Sequence, residues 1–382
     1  MIKNIADKAW LFLFKNPLTV LFCFWAGIQI LLLFSFGIVT TKEAVKYSGE
    51  AQNLLQHGHF SEPKYIFYSA YILLHIVFIK LGLETIGVYI VQLLTNLLAM
   101  YLLHKTVYFI TKKRTAAFIS VLLLVLCYSW QYWTVYLYTE SFFCSLLIIF
   151  SYLLFGTNIK SGQRTMGTIT VFILIILARP TGMLLIPVMC CLLMFKLLKE
   201  KKYIAALAAV LIISTIFFSI LSYAMKGGTS YDFMKPFLEN NVLCYIPDQS
   251  TETHAIVTGD ANSLQTIWLY IVQNPAQFFK LAGLKFISYW GMVRPYYSGF
   301  HNLWLMCFFY PLYLFAMAGI WGIRKKHTEF LLYIISVFII FTLSVILTCD
   351  DWNNRFNMPV IPFVMLLAGI GISNLFQKKN SP

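Results

Sequence analysis

Long apolar stretches without charged side chains recur along almost the whole chain and predict membrane-spanning helices. A helix needs about 20 residues to cross about 30 Å of hydrocarbon. Stretches of about this length occupy residues 16–39, 85–104, 115–138, 141–159, 203–225, 302–323, 330–349 and 356–377. A further stretch, 165–195, is too long for one ordinary span and is interrupted by Arg179-Pro180, so we interpret it as two short helices that meet at a break. The pattern predicts an all-α polytopic membrane protein with about ten transmembrane helices.

The segment 66–82 is also apolar, but it is short and carries His75 and Lys80. It can be interpreted as a further span or as a helix lying at the membrane interface. A further span would place the basic run Lys112-Lys113-Arg114 outside and invert the loops that follow. We therefore expect an outer-face interfacial helix.

Composition excludes the soluble classes of protein. Hydrophobic residues make up 59% of the chain and charged residues only 12%, against about 25% charged residues in ordinary globular domains. The net charge is +14, which in a soluble protein would suggest nucleic acid as a partner. With a cytoplasmic N-terminus, however, 18 of the 29 basic residues and only 3 of the 15 acidic ones fall on the cytoplasmic side. We therefore expect a multi-pass plasma (inner) membrane protein with both termini cytoplasmic and no nucleic-acid partner.

The long polar stretches all lie on the opposite, outer side. We treat residues 1–382 as a single membrane domain with a first outer loop at 40–84, which carries amphipathic helices, and a large outer loop at 226–301. Within the large loop, residues 262–273 and 275–290 are predicted to be helical. Polar segments on one face only indicate that chemistry or recognition takes place there.

Two cysteines, Cys244 and Cys349, can both face the outer side. A disulfide between them is one interpretation, but the chain has no regular cysteine spacing, and we expect unpaired thiols.

Two outer carboxylates follow the first span. Glu43 and Glu50 lie seven residues apart with Tyr47 between them, so a helix over 42–56 would place all three on one stripe. An ordinary solvated amphipathic helix has the same pattern, and on composition alone we favour that interpretation.

Three further positions interrupt the apolar pattern. Glu140 lies at a tight turn between two spans, where a site residue and a water-exposed turn residue fit equally well. Arg179 lies in the break within 165–195; a guanidinium there needs an anion or carbonyl groups, and we favour phosphate over an interhelical salt bridge. Arg294 and Lys64 are additional outer cations.

The outer end of the last hairpin carries Asp350, Asp351 and Arg355. The arginine is suited to phosphate, and the two acids can accept hydrogen bonds from sugar hydroxyls or bind a metal ion. Adjacent acids at a turn are, however, more often a solvated cap.

The order of these features along the chain resembles the GT-C glycosyltransferases, in particular the bacterial relatives of protein O-mannosyltransferases and lipid A aminoarabinose transferases. The resemblance covers nearly the whole chain. It is carried by four motifs in order: Glu43-Ala-Val-Lys-Tyr47-Ser-Gly-Glu50, Thr139-Glu140-Ser141, Arg179-Pro-Thr-Gly182 and Arg355-Phe-Asn-Met-Pro359.

The resemblance implies transfer of a sugar from a polyprenyl-phosphate donor to an acceptor hydroxyl on the outer (periplasmic or extracellular) face. It implies Glu43 and Glu140 as catalytic acids, with a first-loop carboxylate as general base. We assign the donor phosphate to four cations: Lys64, Arg179, Arg294 and Arg355. The candidate substrate contacts are Tyr47, Glu50, Tyr138, Asp350 and Asp351. Relatives usually have Asp where this chain has Glu43, and a longer side chain displaces the carboxylate.

The resemblance leaves cofactors and partners partly open. It does not fix a cofactor; a divalent cation is one option, with Glu140, Asp350 and Asp351 as candidate ligands. The expected partners are a polyprenyl-phosphate-linked sugar, membrane lipids and an acceptor that is a lipid, a glycan or a protein. Alternative functions are a lipid or polysaccharide transporter or flippase, and an O-antigen-type polymerase. No inverted repeat of the transporter kind is visible, which favours the transferase.

Overall fold

A computed structural model describes residues 16–157, 159–226, 235–244, 264–351 and 353–378. The basic N-terminal flank, which the predicted orientation uses, and much of the large outer loop lie outside these residues. The orientation in the membrane stays a prediction.

The described chain is helical throughout. In its first half the helices are Pro17–Phe36 (α1), Glu43–His57 (α2), Ser69–Lys80 (α3), Glu84–Thr111 (α4), Arg114–Leu126 (α5), Tyr128–Gln131 (α6), Thr139–Phe155 (α7) and Ser161–Ala178 (α8). In the second half they are Leu185–Lys199 (α9), Tyr203–Lys226 (α10), Lys235–Leu238 (α11), Leu264–Gln273 (α12), Pro275–Gly291 (α13), Gly299–Ile323 (α14), Thr328–Ile346 (α15) and Ile361–Lys378 (α16). Short 3₁₀ helices occupy Pro63–Tyr68, Tyr132–Thr134, Pro180–Leu184 and Arg355–Asn357.

Each of the ten predicted stretches is helical. Among the described residues, seven helical segments are long and apolar enough to cross a membrane, namely α1, α4, α8, Pro180–Lys199, Tyr203–Tyr223, α14 and α15. We expected two short helices in 165–195, but the helical segments on both sides of the break are long enough to span a membrane. The bent pair Arg114–Leu126 and Tyr128–Thr134 makes an eighth span if it is counted as one, and α7 and Ile361–Phe376 are shorter apolar helices.

The two shorter apolar helices, α7 and α16, form the centre of the molecule. Every residue of α7 from Thr139 to Ser151 is buried, and in α16 the run Ile361–Ile370 is buried throughout. Close backbone approach makes this possible: a Cβ on Gly319 of α14 would lie 2.0 Å from the carbonyl oxygen of Leu367. The outlying helices α8 and α10, by contrast, bury few of their side chains within the protein, as lipid-facing helices do.

The stretch 115–138, predicted as one span, is bent by 67° after Leu126. The chain contains neither proline nor glycine at this point; a polar side chain makes the break instead. Gln131 donates a hydrogen bond to the carbonyl oxygen of Leu124 at 3.0 Å and accepts one from Gln29 at 2.8 Å. Gln92 donates to the carbonyl oxygens of residues 133, 134 and 136. Irregular backbone inside a membrane protein requires such internal partners.

The apolar segment 66–82 does not form a spanning helix. A 3₁₀ helix, Pro63–Tyr68, leads into the 12-residue helix α3, which rises about 18 Å and cannot cross about 30 Å of hydrocarbon. His75 is buried and lies 3.2 Å from Glu84 at the start of α4.

The expectation of unpaired outer thiols is wrong for one pair. Cys244 and Cys349 form a disulfide with a Cα–Cα distance of 5.1 Å. The sequence placed both cysteines on the outer side but could not bring them together, because they are 105 residues apart. Backbone hydrogen bonds hold them side by side: the amide of Cys244 donates to the carbonyl oxygen of Asp350, and the amide of Asp350 donates to that of Val242, both at 2.8 Å.

Candidate active site

Four charged residues from distant parts of the chain meet in one cluster. Glu43 begins α2, Glu140 lies in the first turn of α7, Arg179 lies at the break between α8 and the following 3₁₀ helix, and Arg355 begins the last 3₁₀ helix. We call these four residues and Asp351 the charged cluster.

Arg355 is the centre of the charged cluster. Its Nη1 lies 2.9 Å from Oε1 of Glu43 and 3.5 Å from Oε1 of Glu140. Its Nε donates to Oδ2 of Asp351 at 2.9 Å. One guanidinium therefore connects three carboxylates, two through Nη1 and one through Nε, because its planar fork carries donors on separate nitrogens.

The deepest part of the cluster is the ion pair between Arg179 and Glu140. Arg179 Nη1 donates to Glu140 Oε1 at 2.6 Å, and the Glu140 side chain is only 1% exposed. Oε2 of Glu140 is buried without a hydrogen-bond partner among the described residues. The guanidinium carbons of Arg179 and Arg355 each lie 5.8 Å from the ring centre of Phe356. The sequence analysis did not single out Phe356, although it directly follows Arg355.

Local backbone pairing brings the two glutamates together. Val39, just before α2, pairs with the segment just before α7: its amide donates to Val135 and its carbonyl oxygen accepts from Leu137. Tyr138 then donates its hydroxyl to the carbonyl oxygen of Thr41 at 3.2 Å. These bonds fix the starts of α2 and α7 beside each other, so their first-turn acids face the same space.

Arg179 reaches the cluster because α8 ends one residue earlier. Pro180 follows it and begins a 3₁₀ helix, and Arg179 itself is extended. Gly182 completes the turn, since a Cβ there would lie 2.1 Å from the carbonyl oxygen of Ile175. The motif Arg-Pro-Thr-Gly thus turns the chain away from α8 and leaves the arginine at the break.

The electrostatics of the cluster keep Glu43 ionised. Burial raises the pKa of Glu43, but the guanidiniums of Arg355 and Arg179 outweigh burial and hold this pKa below its ordinary value. Tyr47 adds a hydrogen bond from its hydroxyl to Glu43 Oε2 at 3.3 Å. Glu43 is therefore a carboxylate at neutral pH and can accept a proton.

Not all the residues singled out from the sequence join the cluster. Glu50 accepts hydrogen bonds from the amide and hydroxyl of Ser61, at 2.6 and 2.5 Å, and so holds the turn after α2. Lys64 lies 2.8 Å from Glu62. Among the described residues, the hydrogen bonds of Glu50 come from Ser61 and Asn53 and not from the charged cluster.

Arg294 and Asp350 belong to an internal network beside the cluster. Arg294 Nη2 donates to Asp350 Oδ2 at 2.6 Å, and both side chains are 1% exposed. Nη1 of Arg294 donates hydrogen bonds to the carbonyl oxygens of Ser288 and Val293 and to the Ser288 hydroxyl. This arrangement differs from the phosphate-binding position suggested by the sequence, because both terminal nitrogens already have internal partners.

The candidate metal ligands do not fit a divalent cation as they are placed. Glu140 is paired with Arg179, Asp350 with Arg294, and Asp351 with Arg355. No group of three or more His, Cys, Asp or Glu side chains suited to a metal ion occurs among the residues that the structure describes.

Comparisons with known proteins support the fold. No family model matches the sequence, and no curated protein matches it. The apo structure of the Archaeoglobus fulgidus oligosaccharyltransferase covers 96% of this chain at 12% identity with a TM-score of 0.55. The same enzyme tethered to an acceptor peptide covers 95% with a TM-score of 0.52. ArnT from Cupriavidus metallidurans covers 98% at 14% identity with a TM-score of 0.49.

The chain is shorter than these proteins. It spans 51% of the apo oligosaccharyltransferase and 62% of ArnT. At these identities the likeness concerns the fold and leaves substrates open. The chain therefore shares an all-helical membrane fold with the Archaeoglobus fulgidus oligosaccharyltransferase.

Proposed function

We propose that this chain is a membrane glycosyltransferase that moves a sugar from a polyprenyl-phosphate donor to an acceptor hydroxyl on the outer face. The observation that carries the proposal is the contact of Arg355 with Glu43, Glu140 and Asp351. It joins an ionised carboxylate to cations suited to a phosphate group in a single site. A membrane transporter of lipids does not need such a pair of groups.

Exposure distinguishes the roles within the cluster. Glu43 and Arg355 are 25% and 19% exposed, whereas Glu140 and Arg179 are 1% and 10% exposed. A substrate can reach the first pair and not the second. We therefore propose Glu43 as the general base and Arg355 as the principal phosphate contact, with Glu140 and Arg179 as the buried support that orients them.

The proposed reaction needs one proton acceptor and one stabilised leaving group. Glu43 accepts the proton of the acceptor hydroxyl, whose oxygen forms a bond to C1 of the donor sugar. The bond between C1 and the phosphate oxygen breaks, and polyprenyl phosphate leaves with the electron pair. Arg355 stabilises the negative charge that develops on the phosphate, and the Arg179–Glu140 pair holds Arg355 in place.

Donor binding is coupled to the strength of the base in this proposal. Without substrate, Arg355 lowers the pKa of Glu43, which makes the carboxylate a weak base. A phosphate that takes hydrogen bonds from Arg355 competes with Glu43 for the guanidinium. The pKa of Glu43 then rises and proton abstraction becomes easier only when the donor is in place.

The acceptor is the least determined partner. One of the matching oligosaccharyltransferase structures holds a tethered acceptor peptide with an Asn-Val-Thr sequence. For this chain we propose only an acceptor hydroxyl on a lipid, glycan or protein at the outer membrane face.

The test is direct transfer by the purified protein. Radiolabelled polyprenyl-phosphate hexose is incubated with the protein in nanodiscs and with lipid, glycan and protein fractions of the membrane from which the chain is isolated. We expect label to move to an acceptor with the wild-type protein and with Glu329→Gln, an exposed acid far from the cluster, but not with Glu43→Gln. Full transfer by Glu43→Gln would overturn the base assignment.

The same labelled donor, used with the protein reconstituted in sealed vesicles, separates the alternative functions. A flippase would carry the intact labelled donor across the bilayer without cleaving it. A polymerase would ignore the monosaccharide donor and require a lipid-linked oligosaccharide. Either result with the wild-type protein would replace the proposed function.

A further inference from the structure

The segment that carries Asp351 and Arg355 is tied to the large outer loop by a covalent bond. The Cys244–Cys349 disulfide lies directly before Asp350. A short parallel pairing continues from it, in which the amides of Cys244 and Asp350 donate to the carbonyl oxygens of Asp350 and Val242. Residues 242–244 and 349–350 thus form one unit.

This unit is also anchored to the end of α13. Asp350 Oδ2 accepts hydrogen bonds from Ser288 Oγ at 2.7 Å and from Arg294 Nη2 at 2.6 Å. Arg294 Nη2 donates in addition to the carbonyl oxygen of Asp351 at 2.9 Å. The backbone at 350–351 is therefore fixed from two sides. We call Arg294, Asp350 and the Cys244–Cys349 disulfide the outer brace.

The chain on the other side of Cys349 is held as well. Lys285 is fully buried and donates from Nζ to the carbonyl oxygens of Thr348 and of Ile346 at the end of α15. The same ammonium group lies 4.5 Å from the ring centre of Phe237, in the described part of the large loop. A small apolar core of Phe237, Tyr270 and Leu281 supports this contact.

The outer brace leads directly to the charged cluster. Asp351 follows Asp350, and its Oδ2 accepts the hydrogen bond from Nε of Arg355. Asp351 therefore uses a different guanidinium nitrogen from Glu43 and Glu140, which both meet Nη1. Asp351 thus sets the orientation of the guanidinium, and its own position depends on the brace.

We infer that the Cys244–Cys349 disulfide is a positioning element of the site, which holds Asp351 and thereby keeps Arg355 against Glu43. Arg294 and Asp350 act as positioning residues in the same brace. The kinetic consequences rest on the proposed function, whereas the structural consequence does not. Opening the disulfide is expected to loosen residues 350–358 and to weaken the contact between Arg355 and Glu43.

Two ways of opening the disulfide protect the test against misfolding. One is the pair of variants Cys244→Ser and Cys349→Ser. The other is treatment of the folded wild-type protein with dithiothreitol, which supplies two electrons and two protons, leaves two protein thiols and becomes a cyclic disulfide. Cys307→Ser, at an exposed free cysteine, is the matched control for thiol chemistry.

Two measurements are made on each sample. Hydrogen–deuterium exchange reports on the peptide covering 350–358, with a peptide from α4 as the internal reference. The pH dependence of transfer reports on Glu43, because a displaced Arg355 no longer lowers its pKa. We expect faster exchange at 350–358. We also expect kcat/KM for the donor to fall by about 10- to 100-fold, on the order of the cost of a displacement near 1 Å. The acid limb of the pH profile of kcat/KM should shift to higher pH. Cys307→Ser is expected to match wild type in both.

Unchanged exchange after the disulfide has been opened, verified by mass spectrometry, would overturn the inference. So would faster exchange with an unshifted acid limb, because the disulfide would then stabilise the loop without positioning Arg355. A wild-type protein that transfers no sugar would refute the proposed function alone. In that case exchange at 350–358 still decides whether the disulfide holds the segment that carries Asp351 and Arg355.

Discussion

Glu140 and Arg179 form a 2.6 Å ion pair in which both side chains are buried between the central helix α7 and the break after α8. Removing one partner leaves an uncompensated charge in a water-poor site, which costs about 3–5 kcal/mol. We expect Glu140→Gln and Arg179→Gln each to lower stability by about that amount, and the double variant to lose less than the sum.

Thermal unfolding followed by tryptophan fluorescence in detergent, with urea titration where unfolding is reversible, measures this. Glu329→Gln serves as the control. Glu329 is exposed, and its ion pair with the exposed Lys199, at 3.8 Å, contributes little to stability. Strictly additive losses in the double variant would show that the two residues do not act as a pair.

Arg355→Lys should impair catalysis more than stability. A lysine keeps the positive charge but cannot contact Glu43, Glu140 and Asp351 at once, because it lacks the planar fork of donors. We expect kcat/KM for the donor to fall roughly 10²-fold, as when one preorganised donor is lost. Steady-state kinetics of sugar transfer measure the effect, with Arg324→Lys at the end of α14 as the matched control. Equal losses in both variants would contradict a special role for Arg355.

The pH dependence of wild-type transfer should reveal the coupling between donor and base. Glu43 acts as a base only when ionised, so activity rises as pH rises through its pKa. In the free enzyme Arg355 and Arg179 hold that pKa below its ordinary value, which places the acid limb of kcat/KM at low pH. The limb of kcat, which reports the donor-bound enzyme, should lie at higher pH, because the phosphate then occupies Arg355. Coincident limbs would mean that donor binding does not affect Glu43.

Glu50→Gln should show the opposite pattern to Glu43→Gln. Glu50 is buried and uses both carboxylate oxygens to hold Ser61. The amide retains one acceptor, so we expect a loss of about 1–2 kcal/mol in stability with kcat unchanged. Unfolding and transfer assays on the same preparation check this. A large fall in kcat at full stability would place Glu50 among the substrate contacts instead.

The sequence indicated the membrane helices because the signal for them is local. A run of about 20 residues without charges must be buried in lipid or protein wherever it lies. The same local pattern could not predict the 67° bend after Leu126. That bend depends on Gln131 satisfying the carbonyl oxygen of Leu124 and on Gln29 from another helix. Polar amides inside apolar spans were its only signal.

The residues of the charged cluster could be predicted from the sequence only in part. Glu43, Glu140, Arg179 and Arg355 each stood out because charge is rare in this chain and because each falls in a motif that resembles the GT-C enzymes. Their roles remain predictions. The structure adds that the guanidinium of Arg355 contacts three carboxylates. The sequence could not show this, because Arg355 and Glu43 are 312 positions apart.

The sequence by itself determined that this chain is a helical membrane protein, because each long apolar segment must be buried in lipid or protein. It also determined which few charges need partners, because an isolated charge in an apolar segment is costly wherever that segment packs. Only the tertiary structure decided which charges meet. It placed Arg355 with Glu43 and turned Arg294 inward to Asp350. It also joined Cys244 to Cys349 against expectation. Those outcomes depend on how helices and outer loops pack, because an ion pair or a disulfide forms only where packing brings distant side chains within bonding distance.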